Sequence, residues 1–378
     1  MAANGCNRIS LGDHLLPTGK LEEYRFRVYA AINQFLRHRV EWLTRCESVK
    51  EVGVLVPEEL DSASPSVQFT NEALAGVSQF LIEEHYQFDI FNQQMVAEHF
   101  IDLEQYQLIL LPDCSPLHSH VAELLKRYVQ NGGIVLGTYR TALHLSELLG
   151  VAFHSWSPFE HNYLYFPRLL PGVPAADVVV YSTLAQVTLQ SKEVEVVSWL
   201  RYPMGARTAK SFYGHRQAPP DQITSFPAVV INKYGEGIAL YIAAPLFADY
   251  YRNGCPLHRG ILHACLRRIY PNRKIQIFAP SAVEVVITQQ PHKQCLLVHL
   301  INFHTVQRGH RPLEPVTELP VWKNIRISVD LQNIGMQGGT KRVFAIPSST
   351  PLEWQIKESK LEILIPEFKG VHTVIVIK

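Results

Sequence analysis

The sequence predicts an α/β domain built on a parallel sheet over residues 51–270, followed by an all-β sandwich over residues 271–378, with residues 1–50 ahead of both. Three observations carry this. Short apolar runs of strand type alternate with segments of helical period from residue 51 onward. Helical periodicity then disappears beyond residue 274, and six β-rich runs take its place.

In the first fifty residues, Leu21, Tyr24, Val28, Ile32, Phe35, Leu36, Val40 and Leu43 recur at helical spacing, with Glu22, Arg25, Arg37 and Arg39 largely between them. This predicts an amphipathic helix over 21–43. Residues 8–12 read as a short strand, and 13–19 as its loop. One strand and one helix cannot form a domain, so the apolar face of the helix needs a partner, expected to be the α/β domain.

Residues 51–56 (EVGVLV) are a buried-type strand, and a helix through 72–84 follows. Residues 88–91, 108–112 and 133–138 are further strands. Between the last two, residues 121–129 (VAELLKRYV) have helical period and are stopped by Asn131, Gly132 and Gly133. Strands separated by helices imply a parallel sheet covered on both faces. Residues 151–220, rich in proline and aromatics, yield one strand at 194–200 and no clear order. Residues 228–232 and 238–243, joined by YGEG, read as a hairpin, and 257–269 as a closing helix ended by Pro271.

The sandwich strands are expected at 283–288, 295–301, 325–331, 342–346, 361–365 and 371–377, with turn signals at Gln290-Pro291, Gly338-Gly339 and Ser348-Ser349.

Composition restricts function. The chain has 378 residues and is 47% hydrophobic, enough for two or three cores. Thirty-five basic against 34 acidic residues give a net charge of +1, so no overall field attracts nucleic acid. Six scattered cysteines without a C-x-x-C pair suggest reduced thiols. The first ten residues lack the apolar core of a signal peptide, and the longest apolar stretch, 237–248, is too short to span a bilayer. A cytoplasmic protein with no membrane partner is expected.

The motifs then point to a family. Residues 110–113 (LLPD), 122–133 (AELLKRYVQNGG) and 137–141 (GTYRT) resemble the trimerisation domain of family 42 β-galactosidases and of related fucosidase-like hydrolases. So do 214–220 (GHRQAPP), 226–230 (FPAVV), 234–237 (YGEG) and 244–247 (APLF) with Tyr250 behind them. That domain is flavodoxin-like and related to class I glutamine amidotransferases. Residues 10–21 (SLGDHLLPTGKL) are similar to the final strand and loop of the catalytic barrel, where the resemblance implies Gln rather than His14. Residues 297–302 (LVHLIN) are similar to a strand of the C-terminal sandwich.

The resemblance implies a homo-oligomer, with three copies as the expectation, and a carbohydrate as the candidate ligand. It does not imply catalysis by these residues. A retaining glycosidase needs two carboxyl groups about 5 Å apart, and the barrel that holds them takes about 250 residues. Only residues 1–50 lie outside the two domains. No catalytic residue, cofactor or metal is therefore expected, and the chain reads as the assembly and accessory region of a glycoside hydrolase. The alternatives are one piece of an active hydrolase whose barrel lies upstream or on a separate polypeptide, and a sugar-binding module.

Four residues are candidates for substrate contact: Asp13, His14, Arg140 and His215. Asp13 either lines a sugar site on a barrel loop or makes a turn hydrogen bond. His215 sits in a proline-rich loop that either faces a ligand or a neighbouring protomer, or is simply rigid. Where an amidotransferase carries its nucleophilic Cys, this chain has Tyr139. Cys114 is either a reactive thiol or a small apolar filler. His118 and His120 begin a helix, and an i, i+2 pair there does not converge on a metal. Trp156, Tyr163, Tyr165 and Phe166 either stack on sugar rings or pack inside.

Overall fold

In the computed structural model, the described residues are 2–6, 15–56, 65–168, 170–174, 176–205, 208, 214, 217–305, 316, 318–330 and 342–378. The chain divides into two compact units, one of residues 50–272 and one of residues 1–49 together with 273–378. The first forty-nine residues thus belong with the C-terminal β-rich segment.

The N-terminal segment contributes helix α1 (Glu23–Arg37), a 3₁₀ turn at Val40–Trp42 and the short strand β1 (Glu47–Ser48). No residue of α1 is buried, and Tyr24 is 75% exposed. Helix α1 therefore presents its apolar face uncovered within its own unit. What anchors the segment lies after the helix: Trp42 is buried against Phe344 at 6.0 Å, and Gln290 Nε2 donates to the Glu41 and Thr44 carbonyls at 2.8 Å each. The expected strand at 8–12 lies outside the described residues.

Residues 50–272 contain β2 (Val52–Val56), α2 (Pro65–Glu83), β3 (Phe88–Asn92), α3 (Gln93–Ala97), β4 (Leu108–Leu111), α4 (Ser119–Gln130) and β5 (Ile134–Thr138). The continuous apolar runs of β2 and β4 are buried because both faces of the sheet are covered. Helix α4 buries Val121, Ala122, Leu125, Tyr128 and Val129, a single stripe at helical spacing. After its end, Gly133 leaves room for the Tyr128 ring, which a Cβ there would meet at 2.4 Å.

There follow α5 (Ser146–Leu149), β6 (Val151–Trp156), β7 (Asn162–Tyr165), β8 (Val178–Val180), β9 (Ala185–Leu189), β10 (Glu195–Pro203), β11 (Pro220–Tyr234), β12 (Gly237–Ile242), α6 (Leu246–Asn253) and α7 (Pro256–Ile269). Nine strands form one sheet in the order β3-β2-β4-β5-β12-β11-β10-β7-β8, and β6 pairs with β9 separately. The expected parallel sheet is only half the result. Strands β3 to β12 of that order are parallel, whereas β11, β10, β7 and β8 run antiparallel to their neighbours. The tight β11–β12 turn enforces the change, because a short hairpin joins only antiparallel strands. One apolar core lies on each face, the first around Phe80, Leu240 and Phe247, the second around Ile109, Leu125 and Tyr241.

The remaining strands are β13 (Ile275–Phe278), β14 (Val283–Gln290), β15 (Cys295–Asn302), β16 (Trp322–Asp330), β17 (Val343–Ile346), β18 (Thr350–Pro351), β19 (Glu353–Lys357), β20 (Lys360–Phe368) and β21 (His372–Ile377). They form two sheets, β1-β14-β15-β21-β17-β18 and β13-β16-β20-β19. Val285, Val298 and Ile375 of one sheet share a core with Ile277, Ile327 and Ile363 of the other, the alternating inward residues of a sandwich.

Candidate functional site

Ligands of open α/β sheets bind beyond the carboxyl ends of the parallel strands, and here those ends carry two unusual turns. Asp113 follows β4 with φ 57°, and Tyr139 follows β5 with φ 49°. Side chains other than glycine rarely adopt this region, so neighbouring bonds must hold them. Two threonines do. Thr138 Oγ1 accepts from the Asp113 amide at 2.9 Å and donates to Asp113 Oδ1 at 2.5 Å. Thr141 Oγ1 accepts from the Cys114 amide at 3.2 Å and donates to the Leu111 carbonyl at 3.1 Å. Tyr241 completes the clamp by donating its hydroxyl to the Tyr139 carbonyl at 2.8 Å.

Asp113 is buried, and its Oδ2 has no hydrogen-bond partner among the described residues. Burial pushes its carboxyl up to about 7, against the Thr138 hydrogen bond and the positive charges of Arg140 and Arg252. At neutral pH this group sits between its two protonation states.

The outer surface of the site is polar and aromatic. Arg140 is half-buried, its guanidinium 5.8 Å from the Tyr139 ring centre. Trp156 is 39% exposed and lies 4.8 Å from the Tyr139 ring and 4.8 Å from Phe153. Ser115 Oγ and His144 Nε2 are 3.0 Å apart, and burial lowers the His144 imidazole.

These groups suit stacking and hydrogen bonding better than nucleophilic attack. The Tyr139 hydroxyl is engaged with Thr183 Oγ1 at 2.9 Å. The Cys114 thiol is buried, donates to the Leu55 carbonyl at 3.0 Å, and is raised well above its ordinary range by burial. Of the two readings of Cys114, this geometry is that of the filler.

Of the four expected contact residues, only Arg140 lies among the described ones; Asp13, His14 and His215 fall outside them. Tyr163 is buried, its hydroxyl on the Ala218 carbonyl at 2.6 Å, and Phe166 packs on the core, so both are structural. Tyr165 is half-buried with Arg201 5.8 Å from its ring centre. His118 stands at the N-cap of α4 with its amide on Gln93 Oε1 at 2.7 Å, and His120 is exposed. Asp113, Ser115 and His144 were not anticipated. The only local hint was the LPD stop after an apolar strand.

Fold and site define the chain as an α/β open-sheet unit combined with a β-sandwich. Residues 80–163 match the family profile of the beta-galactosidase trimerisation domain, which relates that part of the chain to family 42 β-galactosidases. Among solved structures, the α-L-fucosidase isoenzyme 2 from Paenibacillus thiaminolyticus shares the fold with a TM-score of 0.84 at 21% identity, over 100% of this chain and 56% of that one. A GH42 beta-galactosidase from G. stearothermophilus gives a TM-score of 0.57 at 14% identity, over 96% and 45%. The beta-galactosidase from Bacillus circulans sp. alkalophilus gives 0.59 at 14%, over 93% and 45%. The chain thus spans about half the length of these structures. No curated protein matches it by sequence. No helix among the described residues is long and apolar enough to cross a membrane.

Proposed function

We propose that this chain is the assembly and accessory region of a glycoside hydrolase of β-galactosidase or fucosidase type, with the catalytic carboxylates carried by a barrel outside the described residues. The observation that carries this reading is the match of residues 80–163 to a trimerisation domain. The α/β unit acts as a flavodoxin-like assembly domain: its parallel strands follow the order β3-β2-β4-β5-β12, in which the chain moves outward from β2 and then returns past it. The exposed α1 face, with Tyr24, Val28 and Ile32, is what a barrel would cover, and Asp13, His14, Arg140 and His215 are the residues offered to a sugar.

Light scattering tests the assembly. Three copies of the 42.9 kDa chain are expected; a monodisperse monomer at micromolar concentration overturns it. Turnover of a chromogenic fucoside or galactoside by the chain alone would overturn the non-catalytic part.

One observation favours a second reading, a sugar-binding module: the exposed Trp156 indole and the Arg140 guanidinium both stand against the Tyr139 ring after β5. Calorimetry against galactosides and fucosides decides it, and the absence of heat with both retires it.

A further inference from the structure

The two edges of the nine-stranded sheet are treated differently. At one edge stands β8, and it is capped: the Val179 carbonyl meets His258 Nε2 at 2.8 Å, and just beyond the strand the Tyr181 amide donates to Asp249 Oδ2 at 2.8 Å. At the other edge stands β3, whose only sheet neighbour among the described residues is β2. Natural edges are usually protected by lysine, proline or a bulge. Strand β3 reads FDIFN, and its single charge, Asp89, is engaged by the Tyr106 hydroxyl at 2.9 Å.

Both flanks of that edge carry exposed apolar side chains. Ile90 is 47% exposed and shares by alternation the side of Phe88, which packs on the α2 core; Ile82 on α2 is exposed as well. On the other side, where Phe91 points, Met95 is exposed and Phe100 is 73% exposed. Beside them opens a cavity of about 350 Å³ with Val96, Ile101 and Leu103 in its wall and Asp102, Glu104 and Arg127 at its polar part. Of the six large exposed hydrophobics in the matched segment 80–163 (Ile82, Ile90, Met95, Phe100, Leu143 and Trp156), four fall within residues 82–100. Such concentration on one edge is the mark of an interaction surface.

Resting on the self-association reading, we infer that a second copy of this chain docks on the β3 edge, with Ile90 and Phe100 as its anchors. The occupant is a second copy because the patch and its cavity both lie inside the segment that matches a trimerisation domain. Three copies closing a ring require a head-to-tail contact, so the β3 edge of one protomer meets a different surface of the next.

The test compares wild type with the Ile90→Lys/Phe100→Glu double variant by light scattering across a concentration series, with far-UV circular dichroism as the check on folding. The expected result is an oligomeric wild type and a folded, monomeric double variant. Phe100→Ser alters only an exposed ring and should weaken association at least about tenfold by itself. Trp354→Glu, on the exposed strand β19, should leave the oligomer intact. A wild-type mass retained in both Ile90/Phe100 variants overturns the edge assignment and leaves the assembly reading standing; a monomeric wild type overturns both.

Discussion

His299 and His372 lie ring on ring in the sandwich, their planes 4° apart and His299 Nδ1 3.2 Å from His372 Nε2. Thr288 Oγ1 stands 3.3 Å from the other nitrogen of His299, the Phe35 ring is 6.3 Å from that of His372, and Arg39 stacks on Phe35 at 3.7 Å. A buried pair of this kind is held as two neutral rings. Burial lowers His299 to about 3, reinforced by His372; burial and then the Arg39 charge lower His372 to about 4.

The pH dependence follows in sign. Between its folded value and the ordinary 6.5, His299 binds more protons in the unfolded chain than in the folded one. Its contribution is complete above pH 6.5 and falls as the pH drops toward 3, by about 1.4 kcal/mol per unit. His299→Gln should flatten the acid limb of a melting-temperature profile between pH 7 and 4; an unchanged slope would refute this account.

Asp113 works in the opposite direction. Its folded value is raised to about 7, so the folded chain holds the extra proton, and stability is lost as the pH rises from about 4 through 7, again about 1.4 kcal/mol per unit. Asp113→Asn should therefore gain on wild type in denaturant titrations at pH 8 and much less at pH 5. Because the two windows overlap with opposite signs, only the single variants separate them.

Asp249 is fully buried at the start of α6, accepting from the Tyr181 amide at 2.8 Å and the Ser182 hydroxyl at 3.3 Å. Asp249→Ala removes the buried acceptor of both donors, and a loss of about 3 kcal/mol is expected in a denaturant titration of residues 50–272 within the full chain. A loss below about 1 kcal/mol would show that water replaces the carboxylate.

Gly76 is where α2 meets the start of α6, and a Cβ there would lie 2.0 Å from the Phe247 carbonyl oxygen. Backbone cannot swing aside as a side chain can, so Gly76→Ala should cost about 3 kcal/mol. Gly254→Ala, where nothing stands within 4 Å but φ is +57°, should cost about 1 kcal/mol.

The elements most legible in the sequence were those whose burial is one-sided or complete over several residues. Runs such as VGVLV in β2 and the stripe of α4 carry their own period, and both were expected within a few residues of their bounds. Strands β6 to β9 were not, because polar residues interrupt the apolar pattern: Ser155 donates to Gln186 Oε1, and Asn162 Nδ2 donates to the Ser182 carbonyl at 3.0 Å. Helix α6 was missed for a similar reason: Asp249 occupies a buried position in it. In the site, the GTYRT motif marks where Arg140 stands, but the left-handed turns at Asp113 and Tyr139 depend on Thr138, Thr141 and Tyr241, and Tyr241 is bonded 102 positions from its partner. The period of α1 was legible too, but helical period reports an apolar face and not what covers it.

The union of residues 1–49 with 273–378 also has a consequence for synthesis. Glu47 leaves the ribosome long before Gln289, its partner 242 positions on, exists. Residues 50–272 can settle first, while the opening segment waits with its apolar side chains uncovered. A chaperone has most to hold during that interval, and a translational pause late in the message would lengthen it.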